Sequence, residues 1–191
     1  MSMSDARHMR SDASRNHEAI LTAAIAVLAA SSNASMREIA DASGTGRTTL
    51  YRHFPDRQAL VAAIMERVLA EADTVSTAHF EAARRDGCDP VKALAALSAE
   101  LASLGDRYRF LEQHAPPPSA TRRGRRTPSE RRFVDYVRAG QASGGIRADL
   151  DPDWILDAFG ALIARAVEYR FPSAQARGEA LARTVEGMLR G

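Results

Sequence analysis

Apolar residues recur at three- and four-residue steps along most of the chain, and proline is nearly absent from long stretches. Ile20, Leu21, Ala24 and Leu28 give the clearest early series. Residues at this spacing share one face of an α-helix. The alternation of β-branched, aromatic and polar residues that is typical of strands is missing. The pattern therefore predicts an all-α protein.

The first two helices are bounded by start and stop signals. The first is predicted from near Ser14 to about Ser31. In Ser35-Met36-Arg37-Glu38 the spacing matches a capping box, in which the serine hydroxyl accepts from the Glu38 amide and the glutamate reaches back. This marks the start of a second, short helix. Gly44 ends it, since glycine adopts the left-handed conformation that a tight turn requires.

A third helix fits between Gly46 and Phe54, because Pro55 disfavours helical geometry at the residue before it. Asp56 is a good N-cap for a fourth helix that runs beyond Ala72. Further helices are predicted from the same signals: after Asp89-Pro90, over Arg107 to His114, from Ser129 to Ala142, from Asp151-Pro152 to about Phe171, and from about Ser173 to Arg190.

The segment from Met36 to His53 has the spacing of a helix-turn-helix. Ala40 is small enough for two helices to approach, and Gly44 makes the turn four residues later. Apolar Ile39 and Leu50 then pin the second helix to the first. The exposed side of the helix between Gly46 and Phe54 is rich in hydrogen-bond donors, which binding in the major groove requires.

The wider run Ser35–Phe54 resembles the DNA-binding head of the TetR/AcrR family of bacterial transcriptional regulators. Its most telling part is Thr49-Leu50-Tyr51-Arg52-His53-Phe54 followed by Asp56-Arg57-Gln58-Ala59-Leu60. The close match covers about residues 17–65. The family commonly has Val and then Ser where this chain has Thr45 and Gly46, and Gly46 is the weaker cap.

The resemblance implies an N-terminal three-helix head with the helix-turn-helix, joined by a fourth helix to a larger helical body for ligand binding and dimerisation. The domains expected are a disordered tail over 1–13, a DNA-binding domain over 14–62 and an effector-binding and dimerisation domain over 63–191. Arg47 is the best candidate for a bidentate contact to guanine. Arg57 is well placed for a phosphate, together with the amides at the start of the fourth helix. The candidate DNA-binding residues are Ser35, Arg37, Thr45, Arg47, Thr48, Thr49, Tyr51, Arg52, His53 and Arg57.

The body is expected to bind an unknown small, apolar or aromatic effector and to form a homodimer on a palindromic operator. The candidate ligand-binding residues are Leu97, Leu101, Leu104, Tyr108, Phe110, Phe133, Tyr136, Val137, Trp154 and Phe159. The last two helices supply the candidate dimer interface, namely Leu162, Ala166, Leu181, Val185 and Met188. The run Arg122–Arg126 is interpreted as a solvated loop. The alternative is that it contacts the flanks of the DNA site or an acidic ligand.

Composition and charge restrict the classes of protein to which the chain can belong. Among 191 residues, 26 basic and 24 acidic ones leave a net charge of +2, so charge alone neither indicates nor excludes a polyanionic partner. The one cysteine, Cys88, excludes an intramolecular disulfide framework or a cysteine-cluster metal site. No apolar stretch is long enough for a transmembrane helix, and the start has no signal-peptide core, so a cytoplasmic bacterial protein without membrane contact is expected.

Two other functions are weighed against a ligand-responsive repressor. An enzyme is disfavoured, because the five histidines lack metal-ligand spacing and no phosphate loop or nucleophile motif is present. No cofactor or metal is expected either. The alternative that stays open is a helix-turn-helix DNA-binding protein with no small-molecule effector, acting constitutively or through protein partners. A deep cavity in the body favours the sensor, and a solid core favours this alternative.

Overall fold

The computed structural model describes residues 3–111 and 126–190, with side chains from residue 14 onward. The described residues are all-α, as predicted. They form α1 Met3–Ala30, α2 Met36–Ser43, α3 Arg47–His53, α4 Arg57–Arg85, α5 Pro90–Arg107, a 3-10 helix Arg109–Leu111, α6 Pro128–Ala142, α7 Pro152–Glu168 and α8 Ala174–Leu189.

The chain divides into two compact units. The head holds the described residues up to Val68 together with 108–111, and the body holds Leu69–Arg107 and 126–190. Helix α4 begins in the head and ends in the body. The names head and body are kept for these units below.

Capping explains where the head's helices start. Ser35 and Glu38 form the predicted capping box at the start of α2, and Gly44 ends α2 at a φ of 66°. At α4, Asp56 Oδ1 accepts from the Ala59 amide at 2.7 Å. These bonds satisfy amides that the first turn of a helix leaves without a partner. The head's core is built on α1, α2, α3 and the start of α4, and includes the buried residues Ile20, Leu28, Ile39, Leu50, Phe54, Leu60 and Ile64.

Some helix ends differ from the predictions. Helix α1 begins at Met3 rather than near Ser14, since residues 3–13 contain no proline or glycine to stop it and were expected to be a disordered tail. Helix α7 ends at Glu168 rather than about Phe171, because Pro172 disfavours helical geometry just before it.

Two further boundaries also differ. Arg107 is the last residue of α5, and only Arg109–Leu111 of the helix predicted over Arg107 to His114 is helical. Helix α6 starts at Pro128 rather than Ser129, behind a second capping box that Thr127 forms with Glu130. Most of the run Arg122–Arg126, and residues 112–114, lie outside the described residues.

The body's core lies where α5 packs against α7 and α8, with α6 against α7. Aromatic rings fill part of it. Phe80 stacks on Tyr136 with ring centroids 4.6 Å apart, and Phe133 lies 4.9 Å from Phe159. Offset aromatic contacts of this kind stabilise a core beyond the area that they bury.

The last turn of α5 is fixed to three other helices by three successive residues. A Cβ atom on Gly105 would lie 2.6 Å from Val167 Cγ2 of α7, so only glycine allows this approach. Asp106 pairs with Arg177 of α8, and Arg107 pairs with Glu71 of α4. Arg177 is only 5% exposed, and its Nε has no hydrogen-bond partner within the described part of the chain.

None of the helices in the described ranges is long and apolar enough to cross a membrane.

Candidate nucleic-acid interface

Helix α3 has one buried side and one exposed side. Leu50 is fully buried and Phe54, which follows the helix, is 2% exposed. Ile39 and Ala40 of α2 are buried as well, which matches the roles that their spacing predicted. The apolar side of α3 therefore anchors it in the head and fixes which side faces outward.

The outward side of α3 carries the residues predicted to read DNA. Arg47, Thr48 and Arg52 are exposed, and Tyr51 is 49% exposed although it is a large aromatic residue. Arg47 stands in the first turn and Arg52 in the last. Guanidinium groups, a hydroxyl and a phenol on one exposed face are suited to base edges and phosphates.

The turn before α3 is held by hydroxyl groups. Ser43 Oγ donates to the Ala40 carbonyl, lies 2.6 Å from Thr45 Oγ1 and accepts from the Thr45 amide. Gly46 caps α3 without a side-chain hydrogen bond, as its departure from the family pattern implied. Thr49 is half-buried, and its amide donates to the Gly46 carbonyl at 2.9 Å. Thr45 and Thr49 thus support the turn and the first turn of α3.

Ser35 and Arg37 stand at the start of α2. Ser35 is exposed, and its hydroxyl and amide both donate to the Glu38 carboxylate, at 2.6 and 2.7 Å. These two hydrogen bonds lower the pKa of Glu38, and the bond from the Ser35 hydroxyl has the larger effect. Arg37 Nε lies 3.9 Å from Asp41, with both side chains more than two-thirds exposed, so the pair is weak and leaves Arg37 available for another anion.

His53 is turned partly into the head. Its ring lies 5.8 Å from His17 of α1 and 6.4 Å from Phe54. The Nε2 atom is buried and has no hydrogen-bond partner among the described residues. Burial lowers the pKa of His53, with smaller contributions from Arg52 and His17. The imidazole is therefore biased toward its neutral form.

Arg57 points inward, which differs from the phosphate contact predicted for it. Its Nη1 donates to the Ala34 carbonyl and its Nη2 to the Ser32 carbonyl, both in the loop between α1 and α2. The guanidinium thus joins the first residue of α4 to the residues just before the α2 cap. No local pattern in the sequence indicates this contact, because Arg57 and its two partners are distant along the chain.

The structure does not bring all of the candidate ligand-binding residues together. Leu97, Phe133, Tyr136, Val137 and Phe159 belong to one buried cluster in the body, with Leu101 packed against it. Leu104 is buried elsewhere in the body, while Tyr108 and Phe110 belong to the head with ring centroids 6.4 Å apart. Trp154 joins neither group, because it is 62% exposed near the start of α7.

The candidate dimer-interface residues differ in how far they are exposed. Val185 has no exposed surface, and Leu181 and Ala166 are nearly as buried, so their own chain already covers them. Leu162 and Met188 are partly exposed. Beside them a groove of about 350 Å³ lies open on α7 and α8. It is lined by Leu162, Arg165, Ala166, Tyr169, Phe171, Ala180, Leu181 and Thr184.

No three of the described histidine, cysteine, aspartate and glutamate residues are grouped so as to hold a metal ion.

Comparison with known families matches residues 20–64 to the bacterial regulatory proteins of the tetR family. The match covers α1 from Ile20, all of α2 and α3 and the first part of α4. It contains all ten candidate DNA-binding residues. Among curated proteins the comparison finds no match.

Solved structures share the fold over nearly the whole chain. A TetR transcriptional regulator from Streptomyces coelicolor is 23% identical, covers 91% of this chain and 98% of its own, and has a TM-score of 0.59. RolR in complex with resorcinol is 17% identical, with 94% and 90% covered and a TM-score of 0.64. AibR in complex with isovaleryl coenzyme A and operator DNA is 21% identical, with 91% and 97% covered and a TM-score of 0.61.

Proposed function

The chain carries the amino-terminal region of the tetR family of bacterial regulatory proteins and has the all-α fold of that family's transcriptional regulators, and on this premise we propose that it represses transcription by binding a palindromic operator. Because its proposed partner is the chromosome, we place it in the bacterial cytoplasm.

The exposed face of α3 carries this proposal. Arg47, Thr48, Tyr51 and Arg52 lie outward while Leu50 holds the helix from behind. A short helix anchored in this way fits the major groove, where an arginine reads guanine through O6 and N7. Arg37 at the start of α2 is the best placed of the other candidates for a phosphate.

Selection from random duplex DNA tests the proposal. An enriched palindrome is expected. On that operator, Arg47→Ala should weaken binding by about 1–3 kcal/mol and relax the base preference at one position of each half-site. Arg85→Ala is the matched control, since it removes the same charge from an exposed site at the end of α4 in the body. Selection without any enriched palindrome would contradict the proposal.

We also propose that the protein is a homodimer through the open side of α7 and α8. The groove there is mainly apolar, and Tyr169 at its edge is 53% exposed. Gly160 and Gly187 face open space, where a second helix can come close. A twofold dimer also matches the symmetry of a palindrome. Leu162 and Met188 stay in this interface, whereas the buried Val185 supports it from behind.

A small apolar or aromatic molecule is proposed to release the protein from DNA. The body's core contains four aromatic rings, Phe80, Phe133, Tyr136 and Phe159, on α4, α6 and α7. Two structural relatives were solved with resorcinol and with isovaleryl coenzyme A, which makes these compounds the first probes. Release requires the effector to bind the DNA-free state better than the DNA-bound state.

Calorimetry with and without operator DNA tests this coupling. A coupling of 1–3 kcal/mol would change operator affinity about 5- to 150-fold, and DNA must weaken the effector by the same factor. Equal affinity in both conditions would show that the probe is not an effector.

The alternative function, DNA binding without a small-molecule effector, is favoured by the tight packing of the candidate ligand residues. Leu97 and Val137 are completely buried within one core cluster that also holds Phe133. Under this alternative, no compound in an effector screen alters operator affinity, and only a protein partner or protein concentration does so.

A further inference from the structure

The contact between Arg57 and the α1–α2 loop assigns this arginine a role that differs from DNA contact. We propose that Arg57 is a positioning residue that fixes the start of α2, and through it the DNA-reading surface, to the first turn of α4. The inference rests on the proposed DNA binding. It concerns a different kind of contact from those of Arg47 and Arg37.

The geometry of the guanidinium favours this role. Its two terminal nitrogens donate to two carbonyls, those of Ser32 and Ala34, which lie two residues apart in the loop. A planar group with donors in a fixed fork suits such a pair, and its positive charge strengthens both bonds. Arg57 is only partly exposed. With both terminal nitrogens directed into the head, it is poorly placed to meet a phosphate as well.

The loop that Arg57 holds is the one that sets α2. Ala34 is 4% exposed, so its carbonyl sits where water cannot readily replace the arginine. The next residue is Ser35, the N-cap of α2, and Arg37 follows in the first turn. A loop that moves would carry the capping box and Arg37 with it.

Helix α4 is the other end of the contact. It runs without interruption from Arg57 to Arg85, and the chain passes from the head to the body after Val68. A displacement of its first turn is therefore passed to α2 by two hydrogen bonds rather than by apolar contact alone. The free protein holds the start of α2 in place before DNA arrives, which reduces the ordering cost of binding.

Two variants separate a positioning role from a phosphate contact. Arg57→Gln removes the charge and the fork, whereas Arg57→Lys keeps the charge and removes the fork. If Arg57 positions α2, both variants should weaken operator binding by about tenfold, because the start of α2 must then be ordered when DNA binds. The slope of log affinity against log salt should be the same in the two variants, because any change then comes through the displaced Arg37 and does not depend on the charge at position 57.

Hydrogen exchange gives a readout that needs no DNA. The Ala34 amide donates to Ser31 and the Ile39 amide to Ser35, so both report on the loop and the first turn of α2. Both amides should exchange faster in the two variants than in the wild type. Arg67→Gln is the control on the same helix. Arg67 pairs with the exposed Glu18, so exchange at Ala34 and Ile39 and the salt slope should match the wild type in this variant.

Each outcome decides the matter. Normal exchange at Ala34 and Ile39 in both variants overturns the inference. It is also overturned if Arg57→Lys binds like the wild type while Arg57→Gln loses about one unit of salt slope, since that pattern marks a phosphate contact. Failure of the wild type to bind any selected duplex contradicts the proposed function instead. The exchange experiment still tests whether Arg57 holds the α1–α2 loop. Should Arg57→Gln not fold, Arg57→Lys carries the same readouts.

Discussion

The head and the body hold their helices in different ways. In the head, capping and turn residues define the starts of α2 and α4, and the side chains that matter for the proposed function point outward. In the body, close approaches and one buried ion pair join α5 to its neighbours. The two units thus differ less in capping, which Thr127 and Glu130 also provide at α6, than in where the side chains that matter lie, which is outward in the head and inside the body.

This difference determines what a substitution does. A polar residue on the face of α3 can change with little effect on the head's core, because that face packs against nothing in the described chain. A residue of the body's core has no such freedom, since interiors are packed as densely as organic crystals. Four predictions test the contrast, beginning with the largest effect.

Val185→Arg should unfold the body rather than separate a dimer. Val185 has no exposed surface, and a charge placed there without a partner should cost at least about 4 kcal/mol. Thr184→Arg is the matched variant one residue away, on the exposed side of α8. It should keep the helical circular dichroism and give monomers by light scattering. A well-folded Val185→Arg monomer would contradict this distinction.

Arg177→Met should destabilise the body by about 2 kcal/mol. The variant removes the buried guanidinium that pairs with Asp106, and the loss is moderated because the Asp106 side chain is 32% exposed. Chemical denaturation measures the change. Combining it with Asp106→Leu should recover most of the loss, since both charges are then gone. No recovery in the double variant would mean that the arginine acts mainly by packing.

Glycines in the two units should respond oppositely to a larger side chain. Gly105→Ala places a Cβ atom 2.6 Å from Val167 and should cost about 1 kcal/mol even after the gain in helix propensity. Gly46→Ser enters open space at the N-cap of α3 and should stabilise the head by a few tenths of a kcal/mol. Thermal melts of both variants, with Val167→Ala added to Gly105→Ala as a rescue, check the signs.

Mild acid should loosen the head before the body, with the smallest effect of the four. The pKa of His53 lies below the ordinary value of 6.5, chiefly because of burial. The unfolded head then binds more protons between the folded pKa and 6.5, so this contribution to stability is present above 6.5 and is lost as pH falls below it. The protection factor of the Leu50 amide should fall in this range while that of Leu94 does not. His53→Gln should remove the difference.

Much of the head was predictable because its signals are local. The capping box at Ser35 and Glu38 and the stop at Gly44 involve residues three to nine positions apart, and the structure confirms them. Periodicity also predicted the body's helices, but it cannot tell which neighbour covers a given face. The family resemblance placed Val185 at a dimer interface, whereas its own chain covers it, and Trp154 in a ligand cavity, whereas it is exposed. The inward turn of Arg57 and the burial of Arg177 depend on distant partners and leave no trace in the local sequence.

The segment 108–111 has a consequence for how the protein is made. It belongs to the head, its 3-10 helix contacts α1, and Leu111 is 3% exposed. A ribosome therefore completes the DNA-binding unit only after it has also synthesised α5, although α1 to α3 emerge first. In a nascent chain paused after α4, apolar surface of α1 is still uncovered. Such surface binds chaperones and favours aggregation. The order of synthesis thus delays completion of the head until α5 of the body has been translated.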